Sequence, residues 1–117
     1  MKFTDTLKKN YEFQRLYSKG KSAITPYLVV YARKTKKRDM RVGFTVSTKL
    51  GKAVVRNRVR RRLREVYRLH EEQFAPGWDI VVVARTRSVD ASFDKLTHAF
   101  LSLAEKAALL HVEVPEP

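Results

Sequence analysis

Apolar positions along this chain follow two periods, and the changes of period mark its elements. Between residues 5 and 18, Leu7, Tyr11, Phe13, Leu16 and Tyr17 recur at helical spacings. Thr4 or Asp5 is placed to cap that helix, and Gly20 lies just past its end, where helices commonly stop. Residues 27–33 (YLVVYAR) are rich in β-branched and aromatic types and predict a strand. Its alternation puts Tyr27, Val29 and Tyr31 on one face and Leu28, Val30 and Ala32 on the other. Lys34 to Asp39 predicts a charged turn. Residues 41–47 (RVGFTVS) predict a second strand, with Val42, Phe44 and Val46 sharing a face.

Lys49 to Lys52 predicts a basic turn around Gly51, followed by a short extended piece at Ala53–Val54. A helix is then expected over 56–72, with Val59, Leu63, Val66 and either Leu69 or His70 as its inward stripe. Pro76-Gly77 breaks the chain. Residues 78–85 (WDIVVVAR) are almost continuously apolar, which predicts a central, covered strand. A last helix over 91–110, entered through Ser88 or Asp90, carries Phe93, Leu96, Phe100, Leu103, Ala107 and Leu110 at core-seeking spacings. The tail HVEVPEP is expected to fray. The order is α-β-β-(β)-α-β-α, helices on a small mixed sheet, which makes a two-layer domain over residues 1–110 with a short tail at 111–117.

Charge then narrows the partner. The 117 residues carry a formal net charge of +13. It is concentrated: residues 1–70 hold 21 basic and 4 acidic side chains, and the rest hold 4 basic and 8 acidic. Such a field draws polyanions. A membrane surface is the rival to a phosphate backbone, but the basic stretch lacks the Trp/Phe/Leu face that interfacial helices insert. No apolar run approaches the roughly 20 residues that span a bilayer. The absence of cysteine excludes disulfides and thiolate metal sites. A cytoplasmic protein with no membrane and no obligate protein partner is expected.

The strongest local signal runs from Lys49 to Arg64, with eight basic residues and no acid. On a helix, Arg56, Arg60 and Arg64 stack at i, i+4 and i+8, with Asn57, Arg61 and Arg68 on a neighbouring line. Val59 and Leu63 point the other way. Arginine suits this task because its planar fork holds two phosphate oxygens or stacks on a base. Lys49 and Lys52 precede the helix as point charges on the same backbone. A solvated charged face is the bland alternative, but like charges crowded on one helix repel one another without a counter-charged partner.

The second signal is aromatic. Phe13 and Tyr17 are i, i+4 on the first helix, and Tyr27 and Tyr31 share a strand face. Rings beside positive charge are how single-stranded RNA is held, while core packing is the competing role, above all for Phe13. Other motifs fail. Gly20-Lys21-Ser22 has Arg15 where a P-loop needs its first glycine. Arg41 to Val46 lacks the repeated aromatics of an RRM signature. His70, His98 and His111 have no metal-ligand spacing. Asp79, Asp90 and Asp94 are scattered, each with a simple role as a strand-end or cap residue, and no nucleophile meets a base.

These features together resemble the protein subunit of bacterial ribonuclease P. The resemblance rests on Arg41–Ser47, on Lys49-Leu50-Gly51-Lys52-Ala53 followed by Arg56-Asn57-Arg58, on Phe13–Tyr17 with Gly20-Lys21-Ser22, and on Asp79–Arg85. It implies a small α/β sandwich of order αβββαβα, with a four-stranded mixed sheet and a left-handed crossover around the basic helix, contrary to the usual hand. It implies that an RNA subunit cleaves the 5′ leader from precursor tRNA with Mg²⁺, for which no protein ligands are assigned. It further implies that Lys49, Lys52, Arg56, Asn57, Arg58, Arg60, Arg61 and Arg64, with Arg68 extending the face, meet that RNA. Phe13, Tyr17 and Tyr31 correspond to a cleft for the leader, with Tyr17 standing where relatives often have Phe. A structural ribosomal RNA-binding protein and a protein-only nuclease are the alternatives.

Overall fold

The computed structural model describes residues 4–35 and 40–106. Five strands form one sheet: β1 (Thr4–Thr6), β2 (Lys21–Ile24), β3 (Leu28–Lys34), β4 (Met40–Thr45) and β5 (Trp78–Ala84). Three helices accompany them: α1 (Asn10–Lys19), α2 (Ala53–His70) and α3 (Phe93–Lys106). The spatial order is β1-β4-β5-β3-β2. β1, β4 and β5 run parallel, while β3 is antiparallel to both β5 and β2. Because β4 and β5 are parallel neighbours, α2 is the crossover helix of a βαβ unit.

The central strand explains the layering. From Asp79 to Val82 every residue of β5 is buried, so both faces must be covered. Ile80, Val82 and Ala84 join Leu28, Val30, Ala32 and Val42 under α2 and α3, which contribute Val59, Leu63, Val66, Tyr67, Leu96, Phe100 and Leu103. Val81 faces the other way, into a smaller cluster with Leu7 and Leu16, against which Phe13, Tyr17, Tyr31 and Val83 pack. The helices therefore lie on both faces, α1 alone on one side, and the two-layer expectation is corrected to that extent. Each Val, Leu, Ile or Phe side chain buried here contributes on the order of 1.5–3 kcal/mol.

Other expectations shift for identifiable reasons. The sheet has five strands rather than four, because two short segments join its edges and the extended piece expected after the Gly51 turn does not. Thr4–Thr6 pairs with Met40–Val42, so Thr4 and Asp5 are strand residues and not helix caps. Lys21–Ile24 pairs with Val29–Ala32. The helix starts at Asn10, where Glu12 accepts the Lys9 backbone N–H at 3.2 Å. Ala53–Val54 is helical rather than extended. Leu69 is exposed, and Tyr67 is buried on the inward face instead. Tyr27 precedes β3 and packs toward α3, so it does not share the face of Val29 and Tyr31. Ser92, rather than Ser88 or Asp90, caps α3 by accepting the Lys95 N–H at 3.1 Å. Most of the charged turn (36–39), the helix beyond Lys106 and the tail lie outside the described residues.

A charged cluster fastens α1 to the sheet. Arg41 on β4 grips its register neighbour Asp79 on β5, with Nε to Oδ1 at 2.9 Å and Nη2 to Oδ2 at 2.7 Å. Its remaining nitrogen, Nη1, donates to Glu12 on α1. Asp79 is thus a buried ion-pair partner, beyond the strand-end role its position suggests. Burial pushes the Glu12 carboxyl up, but the Lys9 N–H and Arg41 outweigh it and hold it below its ordinary value of 4.5.

Two outcomes are expected. The Glu12 contribution is present above that ordinary value and is lost as the pH falls through the lower folded value. Urea midpoints of wild type and Glu12→Gln should differ at neutral pH and converge in acid, and a gap that stays constant would assign Glu12 no such role. Gly43 lies under Phe13, and an added Cβ would sit 2.6 Å from its ring. Gly43→Ala should cost about 1–3 kcal/mol in urea unfolding.

Candidate RNA interface

α2 is a helix with a buried back and an arginine front. Val59, Leu63, Val66 and Tyr67 are buried. On the opposite side, Asn57, Arg60, Arg61, Arg64, Glu65 and Arg68 line one shallow surface groove. Lys49 and Lys52 are exposed at the turn that enters the helix. That turn depends on Gly51, whose φ of 138° is one that side-chain-bearing residues rarely adopt.

The groove's charges are not equivalent. The line Arg56, Arg60, Arg64 drifts by roughly 40° per four residues around the helix. It begins beside the core, where Arg56 is half-buried and its Nε has no hydrogen-bond partner among the described residues, and reaches solvent at Arg64. Arg60 donates to Asn57 at 3.2 Å. Arg68 is paired with Glu65, its Nε donating at 3.0 Å and its Nη2 donating as well. This pairing holds the Glu65 carboxyl below its ordinary value and Arg68 more firmly charged. Arg58 lies exposed on the flank. Its neighbour Arg62, outside the predicted contact set, donates to the Ala91 carbonyl at 2.7 Å and clamps α2 to the start of α3. Burial, and then the charge of Arg58, lowers the Arg62 pKa.

The aromatic candidates gather on the other face of the sheet. Tyr17 and Tyr31 meet edge-on, with centroids 5.1 Å apart, and Tyr17 Oη lies 2.9 Å from Thr45 Oγ1. Phe13 is half-buried against Gly43. Beyond the end of α1, the cross-strand row Ile24, Val29, Val83 and Thr45 continues this surface across four strands. Ile24 is 60% exposed. The structure thus brings Phe13, Tyr17 and Tyr31 together and excludes Tyr27 from them. Sequence reasoning missed Thr45 and Ile24, because only strand register places them there. It also missed the Glu12–Arg41–Asp79 cluster, whose members are far apart along the chain. Among the described residues, no three His, Cys, Asp or Glu side chains converge on a point that would hold a metal ion, and no helix is long and apolar enough to cross a membrane.

An outward arginine helix on one face of a mixed sheet and a semi-open aromatic cluster on the other define an RNA-binding protein. Comparison with known proteins says which kind. The sequence matches the Ribonuclease P family over residues 1–108. It is 43% identical to the ribonuclease P protein component of Alkaliphilus oremlandii, over 97% of this chain and 100% of that protein. It is 45% identical to that of Clostridioides difficile, over 88% and 91%. The fold superposes on the Staphylococcus aureus RNase P protein with a TM-score of 0.83 at 34% identity, covering 91% of this chain and 97% of that one. The Thermotoga maritima RNase P protein gives 0.76 at 30% identity, with 84% and 93% covered. The chain belongs to the ribonuclease P protein family, and is a protein subunit of that tRNA-processing ribonuclease, partnered with its RNA.

Glu65 occupies the fork that Arg68 would offer a phosphate. Glu65→Gln should therefore tighten binding of the ribonuclease P RNA and steepen its salt dependence by about one phosphate equivalent. Filter binding across a salt series checks this, and an unchanged slope would remove Arg68 from the contact set.

Proposed function

We propose that α2 docks this protein on the ribonuclease P RNA while the opposite side of the sheet holds the single-stranded 5′ leader of precursor tRNA. The RNA carries out the cleavage in this reading and requires Mg²⁺, for which no protein ligands are assigned. Lys49, Lys52, Arg56, Asn57, Arg58, Arg60, Arg61, Arg64 and Arg68 form the docking set. Phe13, Tyr17 and Tyr31 form the leader set. The complex works in the cytoplasm in this reading.

One observation carries the reading: the cationic surface and the aromatic surface lie on opposite faces of one sheet. A duplex-rich RNA is gripped through its phosphates, in a way that is strongly salt-dependent and indifferent to base identity. An unpaired strand instead offers bases that stack on rings. Two surfaces of such different chemistry suit two RNAs bound together. The side chains supply binding and orientation. Arg61 and Arg64 meet phosphates at the exposed crest of α2. On the other face, Thr45 braces Tyr17, and the Tyr17–Tyr31 edge contact limits how either ring can turn. Holding the leader there raises the local concentration of substrate at the RNA that cuts it.

Reconstitution tests the whole. With cognate RNA at low Mg²⁺, added protein should accelerate removal of the leader, and equal cleavage with and without protein would refute the reading. Phe13→Ala should weaken binding of leader-bearing precursor by about tenfold and of mature tRNA far less, in line with the loss of one stacked base. Equal loss on both would make Phe13 a core residue only.

A further inference from the structure

Tyr11 has no part in the packing just described. It is 56% exposed and belongs to neither hydrophobic cluster. On α1 it stands roughly half a turn from Phe13 and Leu16, and it borders a surface depression beside β1 rather than the core under the helix. Its ring is attended by two cations: Lys9 Nζ lies 5.7 Å and the Arg15 guanidinium 5.8 Å from its centroid. Lys8 lines the adjoining surface depression with Asp5, Glu12 and Arg41. Glu12 and Arg41 are engaged with one another, which leaves Asp5 as the remaining acid against Lys8, Lys9 and Arg15.

An aromatic ring held at the surface between two cations contributes little to a core. It is, however, the arrangement that receives a nucleotide: the base stacks on the ring while the cations take the flanking phosphates. We infer that Tyr11, with Lys9 and Arg15, forms a stacking site for an unpaired nucleotide of RNA, separate from the Phe13–Tyr17–Tyr31 cluster. The arginine face of α2 lies across the sheet, so the occupant is the single strand held on the α1 side, taken where it leaves that cluster and passes over the helix. The inference rests on the proposal that the leader is bound on this side.

The test uses the complex reconstituted with ribonuclease P RNA and two precursor tRNAs, one with a leader long enough to pass α1 and one with a leader too short to do so. Tyr11→Ala should weaken binding of the long-leader substrate about 5- to 10-fold, the low end for one stacked base, and leave the short-leader substrate unchanged. Tyr11→Phe should bind like wild type, because stacking needs the ring and not the hydroxyl. Arg15→Ala should lower the salt slope for the long leader by about one phosphate. The thermal midpoint of Tyr11→Ala should match wild type, since the side chain is exposed. The inference is overturned if Tyr11→Ala keeps long-leader affinity within about twofold, loses equally on both substrates, or weakens only the binding of ribonuclease P RNA itself. If Phe13→Ala still discriminates leader-bearing from mature tRNA while Tyr11→Ala does nothing, the stacking site alone falls. If neither variant discriminates, the leader proposal falls with it.

Discussion

Strand β5 sets the terms for the whole molecule. Its apolar residues alternate between two faces, Ile80 and Val82 on one and Val81 and Val83 on the other, and burying both requires helices above and below. The larger face takes α2 and α3 because those helices bring long apolar stripes. The smaller takes α1, which offers only Leu16 as a fully buried anchor, with Phe13 and Tyr17 at its margin. A helix held by so little apolar area needs another fastening. The Arg41 guanidinium, joined to Asp79 beneath and Glu12 above, supplies it. A single broken partner there leaves an uncompensated charge in a half-buried site, so the three groups act as a unit.

In the proposed arrangement, the same two-sided burial separates the two RNA contacts. An arginine helix and an aromatic cleft on one face would compete for the same RNA. With the sheet between them, each surface is free to meet its own strand. The incomplete cover given by α1 is what leaves the row Ile24, Val29, Val83 and Thr45 partly open beside Tyr17 and Tyr31. A longer or more apolar α1 would close that floor and stabilise the protein at the expense of the cleft. On α2, the cations divide in role: Arg62 is committed to the Ala91 carbonyl as a structural clamp, while Arg61 and Arg64 stand at the crest. Counting basic residues overstates the number available to phosphate.

Much of this was legible beforehand where a side chain's role is local. The periodicity of Val59, Leu63 and Val66 defines α2 and its polar front, since helix geometry alone decides which residues oppose one another. The nearly unbroken apolar run of β5 marks a covered central strand. Family resemblance in the Arg56-Asn57-Arg58 helix and the preceding glycine turn points to the RNA partner, and the sequence comparison supports it. Helix ends were harder to place: Thr4 and Asp5 look like a cap, yet a polar tripeptide will join any available strand edge that satisfies its backbone.

From the sequence alone follow the three helices, the three long strands, the charge asymmetry and the arginine face, because these rest on short-range periodicity and composition. Tertiary packing settles that α1 lies opposite α2 and α3, that Tyr27 leaves the aromatic cluster, that Thr45 braces Tyr17, and that Glu12, Arg41 and Asp79 meet. Each of these depends on strand order and register, which join residues dozens of positions apart. Register is chosen by the burial of whole faces at once, and no local window of the chain contains that information.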